Sequence, residues 1–315
     1  MSDQQNWERG VLEKLAMSAI QEQRRTRHWS IFFKVLTFAY LFILLALFMG
    51  WMGKADTTLS TEKHTALVEL NGVISADSAA NSERLIGSLQ EAFKHKQTQG
   101  IILRSNSPGG SPVQSGYIND EIRRLRTKHP NIPIYAVVED ICASGCYYIV
   151  AAADKIFVNK ASLVGSIGVL MDGFGFTGTM EKLGVERRLI TAGENKGFMD
   201  PFAPVNAVQQ EHAKKMLAEI HQQFIDVVKE GRGKRLKDTT GVFSGLIWTG
   251  QKSIEMGLTD GMGSVESVAR DVIKAEEIVD FTVRENFSER LAKRFGAGVA
   301  SAMGLSSENV SFKLR

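Results

Sequence analysis

Two glycine-rich stretches have the residue types and the placement for acyl-transfer chemistry. Ser105-Asn106-Ser107-Pro108-Gly109-Gly110-Ser111 directly follows a predicted strand, 101–105. Paired glycines there let the backbone approach a ligand and aim N–H groups at it, and such donors can hold an oxyanion. A plain strand-to-helix turn has the same composition, so this loop alone does not decide. Cys142-Ala143-Ser144-Gly145-Cys146 lies between the predicted strand 132–139 and an apolar helix over 144–153. A serine at such a junction can project its hydroxyl from the sheet edge. The amide after it then sits at a helix start, where partial positive charge favours an anion. This is the logic of a nucleophile elbow, although the form G-x-S-x-G is absent from the chain. An N-capping serine is the competing reading, and position alone leaves the two balanced.

A serine nucleophile needs a base. His28, His64, His95, His129, His212 and His221 lie in polar or helical segments, and none follows a predicted strand. A lysine can serve if burial brings its pKa down from about 10.4 toward neutrality. Lys196 is the best placed, in the irregular, partly apolar stretch Gly193–Phe202. From position alone, a solvated loop lysine is the better reading. Gly173-Phe174-Gly175-Phe176-Thr177-Gly178 fits G-x-G-x-x-G, a weak signal in the middle of a domain. Ser60 and Lys63 fit S-x-x-K but fall in a polar linker. Cys142 and Cys146 sit at an apolar junction, which favours small buried thiols over a disulfide, although an outer compartment would permit one. Without a Cys/His cluster, no metal and no cofactor are expected.

Strands and helices must alternate to position these loops. Apolar, β-branched runs predict strands over 65–74, 101–105, 132–139, 155–159, 166–171 and 187–191. Helical spacing predicts helices over 82–95, 112–128, 144–153, 176–184, 205–230, 250–257 and 265–276. That alternation implies an α/β fold with right-handed crossovers and a largely parallel sheet, covered on both faces. The stretch 285–315 has Phe287, Leu291, Phe295 and Val299 every fourth residue, which fits a helix without saying what it packs on.

Val35–Met52 is 18 residues without a charge, and with Ile31–Phe33 it is about long enough to cross a bilayer. Arg24, Arg25, Arg27 and Lys34 precede it, so the positive-inside rule puts residues 1–30 in the cytoplasm and the chain after 53 outside. The long core and the poor cleavage site at Trp51-Met52-Gly53-Lys54 favour an uncleaved anchor over a signal peptide. The expected organisation is a cytoplasmic tail (1–30), a transmembrane anchor (31–52), a linker (53–63), a catalytic domain (64–280) and a C-terminal tail (281–315). The net charge of +3 gives no argument for nucleic-acid binding, and two cysteines exclude a disulfide-rich scaffold.

Five pieces in order resemble one family: N-S-P-G-G (106–110), A-S-G-C-Y-Y (143–148), V-G-S-I-G-V (164–169), E-N-K-G (194–197) and W-T-G-Q-K-S-I-E-M-G-L-T-D (248–260). The set is similar to the signal peptide peptidase A family of membrane-anchored serine proteases, in its short bacterial form. The resemblance implies a Clp protease/crotonase-like fold. It makes Ser144 the nucleophile, Lys196 the general base and Ser166 the residue that orients the lysine. Gly110, with Gly109 beside it, would give an oxyanion-hole amide, and Gly145 is a second donor by geometry. Cys146 stands where the family usually has glycine or another small residue.

The resemblance further implies a bacterial inner-membrane protein with its peptidase domain outside. Serine and lysine would come from neighbouring subunits of a homo-oligomeric ring, and the substrates would be remnant signal peptides. In this chemistry a buried, neutral Lys196 takes the Ser144 proton and later protonates the leaving amine. A small or apolar side chain is expected at the cleavage site. Two rivals remain: a crotonase-type acyl-CoA enzyme, which would use the loop amides without Ser144, and an inactive membrane scaffold.

Overall fold

Apolar strands alternate with one-sided helices from residue 64 onward, and the chain folds as that pattern requires. The computed structural model describes residues 2–53, 62–237 and 240–284, in two units: an N-terminal helix, and residues 62–284. Most of the expected linker and residues 285–315, with the helix expected there, lie outside the described residues.

Helix α1 (Ser2–Gly53) runs without interruption through the expected tail and anchor. Its first half is rich in Glu, Gln, Arg, Leu and Ala, all good helix formers, and has nothing to stop it. Within it, Gln21–Ala46 is long and apolar enough to cross a membrane, with mean hydropathy 2.0 and none of it buried.

In the second unit β1 (His64–Asn71), α2 (Ser82–Lys94), β2 (Thr98–Ser107), α3 (Pro112–Lys128), β3 (Ile134–Ala143), α4 (Gly145–Val150), β4 (Lys155–Val158) and β5 (Leu163–Gly165) alternate. Next come α5 (Thr177–Leu183), α6 (Ala207–Arg232), β6 (Ile247–Thr249), α7 (Gly250–Glu255), β7 (Gly261–Met262), α8 (Val265–Ser267) and β8 (Ile278–Asp280). The main sheet runs β6-β5-β3-β2-β1-β8, and β4 lies between β3 and β7. Every pairing is parallel except β5 with β6. Asn81 and Ser111 cap α2 and α3 through their side chains, and Pro112 opens α3, where its missing N–H costs nothing. Leu85, Leu89, Ile118 and Ile122 then bury one face of the two helices on the sheet, while Val265, Val268 and Ala269 cover part of the other face.

Two expected strands are corrected. The run 166–171 leaves the sheet after Gly165, because Ser166 takes a positive φ of 51°. Residues 187–191 are not a strand: among the described residues no strand pairs with them, and Ile190 is 95% exposed. The short β6 and β8 went unforeseen, since three residues carry too little pattern.

A buried ion pair ties the end of α6 to β4. Arg232, 1% exposed, donates Nη1 and Nη2 to the two Asp260 oxygens at 2.8 and 2.9 Å and Nε to the Gly257 carbonyl at 2.9 Å. Asp260 also accepts the Ile156 N–H at 2.7 Å. Nearby, the Tyr147 hydroxyl donates to the Leu258 carbonyl at 2.7 Å. Burial pushes the Asp260 carboxyl up, but the hydrogen bonds and charge of Arg232, the Ile156 N–H and Arg235 together hold it below its ordinary value. A depressed folded pKa stabilises fully above the unfolded value of about 3.9 and loses that contribution as pH falls through the folded value. Asp260→Asn is therefore expected to cost about 3–5 kcal/mol near neutral pH, because Arg232 stays buried without its counter-charge. Urea titrations at neutral and acid pH check this, and the variant should lose part of the acid-side dependence.

Candidate active site

Strand β3 ends at Ala143 and α4 begins at Gly145, so Ser144 alone makes the turn. It does so at φ 54° and ψ −123°, which a residue with a Cβ reaches at a cost of about 1–3 kcal/mol. Its N–H donates to the Gly165 carbonyl at 2.9 Å and its carbonyl accepts from Tyr148 N–H at 3.0 Å. The hydroxyl caps nothing, which weighs against the N-cap reading.

The Gly109-Gly110 loop packs directly on this elbow. A Cβ on Gly145 would lie 2.5 Å from Ser115 Oγ and 3.2 Å from the Gly110 nitrogen. A Cβ on Gly110 would lie 2.1 Å from the Ile74 carbonyl oxygen. Hydrogen bonds from Ile74 N–H to Gly109 O and from Ser111 N–H to Ile74 O, at 2.9 and 2.8 Å, lock the loop to the chain after β1. The Gly109 N–H is engaged by Ser107 Oγ at 3.1 Å, so this residue shapes the loop and does not offer its amide. Among the described residues the Gly110 and Gly145 amides have no hydrogen-bond acceptor, which leaves two backbone donors at the elbow.

Ser144, Ser166, Gly109 and Gly110 line one cavity of about 640 Å³, with Val73, Val169, Leu170 and Phe243 among its apolar walls. Lys196 does not line it. It lies exposed in a turn tied to the start of α6, where Gln209 bonds Asn195 at 3.2 Å and the Met199 N–H at 3.2 Å. The burial expected for Lys196 is thus not found within one chain, where the residue is exposed. The segment from 169 to 208 that carries it leaves Phe174 at 81%, Leu183 at 72%, Val205 at 78% and Val208 at 76% exposure.

His221 also lines the cavity and was passed over in the sequence. Its Nε2 lies 3.1 Å from the Ile167 carbonyl, which can only accept, so Nε2 carries the proton. The clue was present: His221 shares the α6 face of buried Ala213, Phe224 and Val228. His221→Ala should cost about 1 kcal/mol of stability, the worth of one hydrogen bond, by loosening the backbone next to Ser166. His221→Gln keeps a donor and should recover most of that stability in urea unfolding. The thiols correct another expectation: Cys142 and Cys146 form a disulfide.

Residues 126–279, which include Ser144, Ser166, Lys196 and Asp260, match the model for peptidase family S49. A protein of Enterococcus faecium that carries the provisional name signal peptide peptidase SppA is 30% identical over 234 residues, covering 72% of this chain and 67% of that one. This chain belongs to peptidase family S49. Proteins named Na(+)/H(+) antiporter NhaA in Brucella abortus and Brucella melitensis are 42% identical over 216 residues, 67% of this chain. The chain spans only 29% of their length. Among solved structures, a 1510-N membrane-bound stomatin-specific protease aligns over 76% of this chain and 100% of its own at 14% identity, with a TM-score of 0.44. Family S49 membership agrees with the order of motifs around the elbow and favours neither rival.

Proposed function

We propose that this S49 chain is a membrane-anchored serine endopeptidase with a Ser144–Lys196 dyad. The observation that carries the reading is the uncapped Ser144 at a strained strand-to-helix turn, beside two unengaged backbone N–H groups. Ser144 Oγ attacks the carbonyl carbon of the scissile peptide while neutral Lys196 Nζ takes its proton. The Gly110 and Gly145 amides hold the developing oxyanion. Lys196 returns the proton to the departing amine, and water then attacks the acyl-enzyme through the same lysine.

Lys196 reaches Ser144 from a neighbouring copy. Its exposure, and the apolar side chains left uncovered between 169 and 208, suit an arm that another chain covers. Ser166, on the cavity wall, accepts or donates a hydrogen bond to the incoming lysine and orients it. Val73, Leu170 and Phe243 make the cavity hospitable to small or apolar side chains, which fits remnant signal peptides as substrates. The helix at Gln21–Ala46 anchors the chain in the bacterial inner membrane, with the N-terminus cytoplasmic and the peptidase domain outside.

A fluorophosphonate probe tests this, since an activated serine displaces its fluoride. Full-length protein in detergent should take the label on Ser144, and both Ser144→Ala and Lys196→Ala should abolish it. Labelling that persists in Lys196→Ala would overturn the dyad. No label on folded, assembled protein would overturn the peptidase reading and return attention to acyl-CoA turnover.

A further inference from the structure

The disulfide brackets the residue that the proposed chemistry needs most. Cys142 is the penultimate residue of β3 and Cys146 the second residue of α4, with Ser144 midway between them. Both cysteines are fully buried. At one end the cross-link is fixed in the sheet, where Cys142 pairs with Ser107 of β2 and Val164 of β5. At the other it is fixed to a helix held by flanking contacts: Asn119 Nδ2 donates to the Tyr148 carbonyl at 2.7 Å, and the Tyr147 hydroxyl donates to Leu258.

Only Ala143, Ser144 and Gly145 lie between these anchors, and they contain the unfavourable backbone angles of Ser144. Uncrosslinked, the turn is held by the two backbone hydrogen bonds of Ser144, to the Gly165 carbonyl and from the Tyr148 N–H, and can relax toward ordinary angles by lengthening them. Relaxation would swing Ser144 Oγ and the Gly145 amide away from the Gly110 amide. The cross-link denies the turn that freedom, since the two Cα atoms are held 5.1 Å apart.

We propose that the Cys142–Cys146 disulfide is a positioning device for the nucleophile, so that the reactivity of Ser144 depends on the oxidised pair. This rests on the reading of Ser144 as the nucleophile. Cys146 is then more than a tolerated departure from a small residue. It is half of a clamp that an oxidising compartment outside the membrane keeps closed.

The test compares full-length wild type with Cys142→Ala/Cys146→Ala in detergent. Denatured wild type should show no free thiol before reduction and two after. The double variant should keep its helix content and assembly state and hold its KM within about twofold. Its Ser144 should acylate about tenfold more slowly or worse, the scale set by releasing a strained backbone. Amide exchange should quicken over 142–148 and nowhere else. A merely structural disulfide would lower thermal stability without that selective loss of acylation rate.

Two free thiols in unreduced wild type would overturn the proposal, as would a double variant that acylates at the wild-type rate. Wild type that takes no label on Ser144 would sink the nucleophile reading instead. The clamp would then be judged by exchange alone, and unchanged protection over 142–148 would refute it. Should the double alanine fail to fold, Cys142→Val/Cys146→Ala keeps more of the buried volume and is read the same way.

Discussion

Ser144→Ala is expected to lower peptide turnover by at least about 10⁴-fold, leaving the residual rate that binding and backbone donors supply alone. Stability should barely change, because the hydroxyl makes no cap hydrogen bond that the alanine would lose. Lys196→Ala should lose activity on the same scale, again without unfolding, since the side chain is exposed in a single chain. The informative sample is the mixture. Each variant supplies what the other lacks if serine and lysine meet across a subunit boundary. Co-expressed in equal amounts, the two inactive chains should regain about one quarter of wild-type activity, the share of sites with both intact residues under random neighbour choice. No recovery in verified mixed oligomers would mean that the dyad forms within one chain or not at all.

Gly110→Ala should be nearly as damaging by a different route. The new Cβ would sit 2.1 Å from the Ile74 oxygen and 2.8 Å from the Ile74 carbonyl carbon and nitrogen, at a φ of 151°. All three are backbone atoms that cannot turn aside, so the loop itself must shift and take its amide with it. Losing one oxyanion donor costs about 10²–10³ in kcat, and the forced shift adds a loss of stability. Gly116→Ala is the control. That position lies in α3 with nothing within 4 Å of its Cβ, so the substitution should stabilise by about 0.5–1 kcal/mol and leave kcat alone. Stopped-flow acylation and urea unfolding of the two variants separate the effects.

The helices were legible where capping and periodicity agreed. The bounds 112–128 read from Ile118, Ile122 and Leu125 are those of α3 itself. The turn at Ser144 was legible as a place, since a serine before glycine sits where an apolar strand gives way to a helix. The state of its flanking thiols was not, because pairing depends on how sharply the chain reverses between them. His221 was missed for a related reason. Its neighbour is a carbonyl 54 positions away, and only the path of α6 past β5 brings the two together. Residues 187–191 misled because β-branched and leucine side chains mark a surface to be covered, and an exposed arm has the same composition as a buried strand.

The position of Lys196 outside the cavity has a consequence for dose. Under the proposed shared dyad, a chain that holds its serine in one place and its lysine in another is inert when alone in the membrane. At low surface density the number of working sites should then rise with the square of chain abundance and only later in proportion to it. On that reading, synthesis below the threshold would yield anchored but silent protein and spare newly inserted precursors stray hydrolysis. A cell could thus set the onset of peptide clearance by expression level alone.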